Sequence, residues 1–169
     1  DWLNGVYIRS LPTTDLADRI IDHLLSSGIW HEVPERGREI VIAATPLISE
    51  RLTTLSQAWD KINFLFADDE TLNFDEIAVG KLRDDAVQVL EAARKALAEV
   101  GEWTAEAVEA ALRSSLVEGM GLKPKFAFAP VRVATSGTQV SPPLFESLEI
   151  LGRESTLRRI DRLTETLRG

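Results

Sequence analysis

Residues 81–100, KLRDDAVQVLEAARKALAEV, repeat apolar side chains at intervals of three and four residues. This spacing places them on one face of an α-helix, because about 3.6 residues complete each turn. That apolar face consists of Leu82, Ala86, Val89, Leu90, Ala93 and Leu97. Glu91 and Lys95 lie four residues apart on another face, where they can form an ion pair. We predict that this is the longest uninterrupted helix and that it ends at Gly101.

The helical period continues towards the N-terminus. Thr14 is a predicted N-cap, and Gly28 is predicted to end the helix that follows it. Pro46 interrupts an apolar run and suits the first position of a new helix, with Thr45 as its N-cap. The apolar residues of this second helix recur at helical spacing and are Leu47, Ile48, Leu52, Leu55, Trp59 and Ile62.

Helical spacing also accounts for the chain after residue 100. Thr104 is a predicted N-cap of a helix that continues until Gly119. Shorter helices are predicted over residues 127–136, 144–151 and 155–167, the first two ended by Gly137 and Gly152. No run alternates apolar and polar residues convincingly, as a strand would. The sequence therefore predicts an all-α fold.

An acidic stretch near the middle of the chain predicts a boundary between two lobes. The run DDE, residues 68–70, is followed by residue types that favour connections over long helices, namely Asn73, Asp75 and Gly80. The predicted lobes are residues 1–66 and residues 67–169. An acid–base pair formed by Asp68 and Asp69 is one interpretation of the run, and a solvated acidic connection is the more common one.

Composition excludes several classes of protein. The 169 residues are 44% hydrophobic, enough for one sizeable core or two smaller helical ones, and include no Cys. Disulfides, cysteine nucleophiles and thiolate metal sites are therefore excluded, which suits a reducing cytoplasm. No apolar run approaches the roughly 20 residues of a membrane-spanning helix, so no membrane partner is expected. The chain begins at Asp1 without an initiator Met or a signal-peptide pattern, which we interpret as an excised piece of a cytoplasmic protein.

Charge is distributed unevenly along the chain. The formal net charge of −8 argues against a protein that attracts nucleic acid by its overall charge. Residues 122–169, however, hold eight basic and five acidic residues, a net charge of +3. Residues 1–121 hold 11 basic and 22 acidic residues, a net charge of −11. We therefore expect a polyanion to approach the C-terminal part of the molecule.

Motifs for catalysis and metal binding are missing from the sequence. It has no glycine-rich phosphate-binding loop and no nucleophile elbow. His23 and His31 are the only histidines, and neither has a second His or a Cys at metal-ligand spacing. Both fit better as partly exposed side chains near a helix end. By themselves, these patterns predict a helical, two-lobed binding module without a catalytic or metal site.

Four stretches of the sequence carry a resemblance to a known protein family. Residues 131–160 contain a distinctive signature, VRVATSGTQVSPPLFESLEILGRESTLRRI. Residues 2–9, WLNGVYIR, residues 50–66, ERLTTLSQAWDKINFLF, and residues 102–112, EWTAEAVEAAL, precede it in order. Together they resemble bacterial glutamyl-tRNA synthetases, from the segment that joins the stem-contact region to the anticodon-binding domain up to the C-terminal signature. The resemblance covers essentially the whole chain.

This resemblance implies the all-helical, two-lobed anticodon-binding domain of a class I aminoacyl-tRNA synthetase. Residues 1–66 would combine the linker from the stem-contact region with the first helical subdomain, and residues 67–169 would form the second. The catalytic half, which uses ATP and Mg²⁺ to join glutamate to its tRNA, is missing, so this fragment would itself be non-catalytic and bind no cofactor. The implied partners are tRNA(Glu) and the N-terminal catalytic half of the same enzyme, and a monomer is expected.

The resemblance also implies which residues bind the anticodon. Three arginines match arginines that the family uses around the anticodon loop, namely Arg51, Arg113 and Arg132. Four residues fall in the loop that lines its base pockets, namely Gln139, Ser141, Pro142 and Leu144. Trp2 and Tyr7 are candidates for a further tRNA contact. The chemistry suits RNA, because Arg offers five N–H donors, Ser and Gln both donate and accept, and Pro and Leu can pack on a base.

These residues also have structural interpretations. Arg51 and Arg113 can be solvated or ion-paired surface charges, and Arg132, between two valines, can be structural. Ser141, followed by two prolines, suits a helix N-cap, and the two aromatic candidates suit a core. The corresponding alternative function is a helical protein-interaction module whose apolar grooves bind a partner helix, with no RNA role.

Overall fold

The computed structural model describes the backbone of residues 2–169 and the side chains of residues 5–169. Over that range the regular structure is helical, with no strand, so the predicted all-α fold class is confirmed. The chain divides into two compact units, Asp1–Leu65 and Phe66–Gly169. This division lies one residue before the boundary inferred from the sequence. Among the helices described, none combines the length and the apolar character required to span a bilayer.

Unit 1 is built from short helices around the α2–α3 contact. Its described α-helices are α1 (Trp2–Ser10), α2 (Thr13–Ser26), α3 (Gly37–Ile48) and α4 (Gln57–Ile62). The 3-10 turns Ser49–Arg51 and Asn63–Leu65 follow α3 and α4. Helix α2 directs Leu16, Ile20 and Leu24 inward at intervals of four, and each is at most 1% exposed.

The predicted helix start at Pro46 is wrong, because α3 continues through this residue. The Thr45 hydroxyl donates to the Val41 carbonyl oxygen at 2.6 Å, so it bonds back into α3 instead of capping a new helix. Pro46 lies in the last turn of α3 and has no N–H group to donate to the carbonyl oxygen four residues earlier. The chain then turns through Ser49–Arg51, and only the short α4 remains of the second predicted helix.

Unit 2 contains the larger core. Its described α-helices are α5 (Glu76–Gly80), α6 (Ala86–Ala98), α7 (Ala105–Leu112), α8 (Pro124–Ser136), α9 (Leu144–Leu151) and α10 (Arg153–Arg168). A π-helical segment, Arg113–Glu118, continues α7. Helix α10 packs against α6 and α8, while α7 packs against α9. The fully buried side chains at these contacts include Leu90, Leu97, Leu112, Leu148, Ile160 and Leu163.

Two local predictions in unit 2 are confirmed. Thr104 is the N-cap of α7, since its Oγ1 accepts a hydrogen bond from the Ala107 N–H at 3.1 Å. Helix α8 ends before Gly137, whose φ of 84° lies in the left-handed region that glycine adopts without a steric penalty.

The prediction that residues 82–97 form the longest helix is wrong. Helix α10 has 16 residues, whereas α6 has 13 and begins only at Ala86. The residues before α6 form a turn, in which the Ala86 N–H donates to the Arg83 carbonyl oxygen at 3.0 Å. The helical spacing of apolar residues therefore begins in this turn, before the helix itself starts.

Candidate nucleic-acid interface

Arg132 joins helix α8 to the α8–α9 loop, residues 137–143. Its Nη1 atom donates to the Ser141 hydroxyl at 2.5 Å and to the Pro142 carbonyl oxygen at 3.1 Å. The Arg132 side chain is half-buried. Sequence reasoning had placed these residues in one site, and the structure brings them into direct contact. Arg132 thus has a structural role in addition to any role in binding.

A groove runs along α8 beside this contact, and we call it the α8 groove. It has a volume of about 430 Å³ and is lined by Pro124, Lys125, Phe128, Ala129, Arg132 and Gln139. The size falls in the usual range for ligand pockets. The lining includes one aromatic ring, two cations and one amide. An aromatic ring can stack on the face of a base, a cation can bind a phosphate, and an amide can hydrogen-bond to the base edge.

Arg113 reaches the same region from the end of α7, where the π-helical segment begins. Its guanidinium carbon lies 5.3 Å from the centre of the Phe128 ring and 5.8 Å from that of Phe145. The two rings are perpendicular, with centres 5.2 Å apart. Arg113 Nε also donates to Glu109 Oε2 at 2.7 Å, and this ion pair neutralises part of its charge. Arg113 therefore borders the α8 groove through Phe128.

Two of the predicted loop residues are buried. Leu144 is 4% exposed and belongs to the core of unit 2, at the first position of α9. Pro142 is also buried, and its carbonyl oxygen is occupied by Arg132. Gln139, by contrast, is exposed. Gln139 and Arg132 therefore line the α8 groove, while Leu144 belongs to the core at the end of the loop.

Unit 1 holds the remaining candidates. Arg51 ends the 3-10 turn Ser49–Arg51 and is exposed, and its side chain has no hydrogen bond or ion pair among residues 5–169. Tyr7 is 51% exposed, with the Arg19 guanidinium carbon 5.5 Å from its ring centre. Both Tyr7 and Arg19 border a second groove of about 340 Å³, which His23 also lines. The side chain of Trp2 lies outside the described residues.

The acidic run at the centre of the chain has a structural role. Asp69 is an ion-pair partner of the buried Arg159, with Oδ1 2.6 Å from Nε. Burial by itself would raise the pKa of Asp69, but hydrogen bonds from Arg159 and Ser155, together with the charge of Arg159, hold that pKa below its ordinary value. A carboxylate held in its charged form by an internal arginine is a poor general acid. In the described part of the chain, no three metal-ligating side chains come together.

Residues 15–164 match the family described as the anticodon binding domain. The chain belongs to the anticodon-binding domain family. It is 48% identical over 167 residues to the glutamate–tRNA ligase of Cutibacterium acnes and 45% identical over 166 residues to that of Kocuria rhizophila. Those matches cover 96% and 98% of this chain but 34% and 33% of the ligases, so the chain spans about a third of the length of these relatives.

The fold of this anticodon-binding domain occurs in solved structures. A crystal structure of a glutamate tRNA ligase from Elizabethkingia meningosepticum matches with a TM-score of 0.80 and 22% identity, covering 98% of this chain and 32% of that one. A glutamate–tRNA synthetase from Elizabethkingia anophelis matches with a TM-score of 0.78, also at 22% identity. At this level of identity the match establishes the shared helical fold.

Sequence reasoning missed three residues that shape this candidate interface of the anticodon-binding domain. Lys125 and Phe128 line the α8 groove, and Phe145 packs edge to face against Phe128. A signal for the first two was available, since residues 123–128, KPKFAF, place two lysines directly before two phenylalanines, and cations beside aromatic rings are common on RNA-binding surfaces. Phe145 had no such signal, because its role depends on a contact between α8 and α9.

Proposed function

We propose that this domain binds the anticodon loop of tRNA(Glu) as the C-terminal part of a glutamate–tRNA ligase. The observation that carries the proposal is the meeting of Arg132, Gln139 and Phe128 in the α8 groove, with Arg113 at its border. In the complete enzyme, the part outside this chain would bind ATP and Mg²⁺ and perform the aminoacylation. We place the enzyme in the cytoplasm and expect it to act as a monomer.

The α8 groove suits an unstacked base better than a duplex. Bases of an anticodon loop are splayed from the helical stack and expose their faces and pairing edges. In our proposal Phe128 offers its ring to one base face, and Gln139 donates to or accepts from the base edge. Arg132 and Lys125 bind the neighbouring phosphates or base acceptors. A net negative domain can bind in this way, because a few well-placed cations are sufficient.

Arg51 is the proposed contact of unit 1 with the third anticodon base. Its exposed guanidinium makes no hydrogen bond to residues 5–169, so its N–H donors can reach an RNA acceptor. Tyr7 and Arg19, at the second groove, are proposed to contact the tRNA backbone, because a stacked cation and an exposed ring border a concave surface there. The alternative of a protein-interaction module with no RNA role is not favoured, since the chain belongs to the anticodon-binding family.

Titration with RNA tests the proposal. The two ligands are a tRNA(Glu) transcript and the same transcript with its three anticodon bases replaced, each measured at two salt concentrations. We expect saturable binding of the first and binding of the second weaker by at least about tenfold, because one lost bidentate base contact costs about 1–3 kcal/mol. The preference should persist at the higher salt concentration, although both affinities fall.

Two results would contradict the proposal. Equal affinity for both transcripts, lost at high salt, would indicate unspecific attraction of a polyanion to the basic C-terminal part. No binding to either transcript under any condition would return the protein-interaction module to consideration.

A further inference from the structure

Arg159 is a charged side chain in the core of unit 2, only 1% exposed. Its guanidinium donates in three directions. Nε bonds Asp69 Oδ1 at 2.6 Å, Nη1 bonds the Thr135 carbonyl oxygen at 2.7 Å, and Nη2 bonds the Ala67 carbonyl oxygen at 2.8 Å. One buried arginine on α10 therefore connects residues 66–75, which we call the crossing segment, to the C-terminal end of α8.

Further contacts fix the crossing segment on the α10 side. Arg162 Nη1 donates to the Leu72 carbonyl oxygen at 2.6 Å, and its guanidinium carbon lies 4.5 Å from the centre of the Phe74 ring. Ser155 donates to Asp69 Oδ2 at 2.9 Å. The crossing segment has little regular structure of its own, so these side chains of α10 determine its path.

The other side of the crossing segment meets the start of the α8–α9 loop. The Asp75 N–H donates to the Gly137 carbonyl oxygen at 2.8 Å. A Cβ atom added to Gly137 would lie 2.2 Å from the Asn73 carbonyl oxygen, which shows how closely the two backbones approach. Gly137 is the first residue of the loop that carries Gln139 and Ser141. The crossing segment thus sets the position at which the loop leaves α8.

We propose that Asp69 and Arg159 are positioning residues for anticodon binding, and this inference rests on the proposed function. Through the crossing segment they hold the α8–α9 loop in the orientation that places Gln139 beside Arg132 in the α8 groove. Neither residue contacts RNA. A loop that is already ordered loses less conformational entropy when it binds, so its affinity is higher than that of a mobile loop with the same side chains.

The test compares Asp69→Asn with Ile160→Val in the 169-residue chain. Asparagine keeps the size of Asp69 but loses the charge that pairs with Arg159. Ile160 is fully buried, adjoins Arg159 on α10 and belongs to the apolar core of unit 2, so its truncation lowers stability by removing a core methyl group. The two variants are compared below their unfolding temperatures, and further core truncations on α10 are used until the melting temperatures agree.

Two readouts separate positioning from general destabilisation. The first is amide hydrogen exchange, where Asp69→Asn should accelerate exchange at the hydrogen-bonded amides of Asp75, Gly137 and Thr138, while the control leaves these amides unchanged. The second is affinity for the tRNA(Glu) transcript, which should fall by about two- to tenfold in Asp69→Asn alone, the range that corresponds to ordering one flexible side chain. Arg159→Lys, which keeps the charge but loses the three-way contact, should behave like Asp69→Asn.

The outcomes distinguish the inference from the function on which it rests. Selective tRNA binding by the wild type that is unchanged in Asp69→Asn would overturn the inference alone. Equal acceleration of loop exchange in the stability-matched control would also overturn it. If the wild type does not distinguish the two transcripts, the proposed function fails and the inference fails with it.

Discussion

The Nη1 atom of Arg9 donates to the carbonyl oxygen of Leu52 at 3.1 Å, directly after Arg51 in the chain. Helix α1 therefore holds the backbone that carries Arg51, although the sequence gives no sign of this contact. Gly5 permits it, since a Cβ atom at this position would lie 2.9 Å from Arg9 Nη1. Arg9 is thereby free to lie along α1 and reach the turn after α3.

Gly5→Ala should not stabilise unit 1, despite the higher helix propensity of alanine. The new methyl group displaces Arg9 from Leu52, and the loss of about 1 kcal/mol from that hydrogen bond offsets a gain of up to about 1 kcal/mol in propensity. In an Arg9→Met background the same substitution should be stabilising, because no contact is left to lose. Urea unfolding of the four chains measures the coupling. If Gly5→Ala changes the free energy of unfolding equally in both backgrounds, residues 5 and 9 are not coupled.

Arg51→Gln should relax selection at the third anticodon base. Glutamate anticodons end in C, which presents two acceptors on its pairing edge, and glutamine anticodons end in G, which presents two donors there. A guanidinium can donate to both acceptors of C but faces the N1–H and N2–H donors of G, and each buried donor left unpaired costs about 1–3 kcal/mol. The glutamine side chain both donates and accepts, so the Arg51→Gln variant should prefer C over G at the third anticodon base less strongly than the wild type does. The measurement compares a tRNA(Glu) transcript with one that has only this C-to-G change. If the variant prefers C over G as strongly as the wild type, another residue selects the third anticodon base, and Arg113 is the next candidate.

Arg132→Ala should weaken tRNA binding by about tenfold, since it removes a cation from the α8 groove. The melting temperature should fall by only a few degrees, because the contacts with Ser141 and Pro142 lie at a half-buried loop. Arg94→Ala is the matched control, because Arg94 pairs with Asp161 outside the groove and carries the same charge. Equal loss of affinity in both variants would mean that only net charge matters.

Gly137→Ala should destabilise unit 2 much more than Gly121→Ala. Both glycines have positive φ, 84° and 69°, so each substitution carries a conformational cost of about 1–2 kcal/mol. Only at Gly137 does the added Cβ also collide with backbone, at 2.2 Å from the Asn73 carbonyl oxygen, whereas Gly121 faces open space. Thermal and urea unfolding compare the two. If the two variants lose similar amounts of stability, the crossing segment can move away from the added methyl group at little cost in free energy.

Acid should weaken the contact between Asp69 and Arg159. The pKa of Asp69 is lowered in the folded protein, because bonds from Arg159 and Ser155 outweigh the effect of burial, so its charge stabilises the fold above the unfolded pKa of about 3.9. That contribution is lost as the pH falls below this value towards the folded pKa. The difference in free energy of unfolding between the wild type and Asp69→Asn should therefore be constant near neutral pH and shrink in acid. A constant difference down to pH 2 would contradict this.

Local sequence determined those features of the fold that depend on neighbouring residues. The Thr104 cap acts on an N–H three residues away, and the end of α8 at Gly137 requires one backbone conformation that glycine favours. Helical periodicity was sufficient for the all-α fold class for the same reason. It failed at Pro46, because the end of α3 depends on a buried Thr45 that a short window of sequence does not distinguish from a cap.

The family resemblance selected Arg132 and Ser141 from the sequence, but only the tertiary structure joined them to Phe128, Phe145 and Arg113 around one groove. The same holds for Asp69 and Arg159, which are 90 residues apart and look like an acidic connection and a helix-surface charge when considered alone. Periodicity reports which face of a helix is apolar, not which distant segment covers it. Burial of a charge is decided by that covering segment, so the roles of these residues emerge only when the chain is folded.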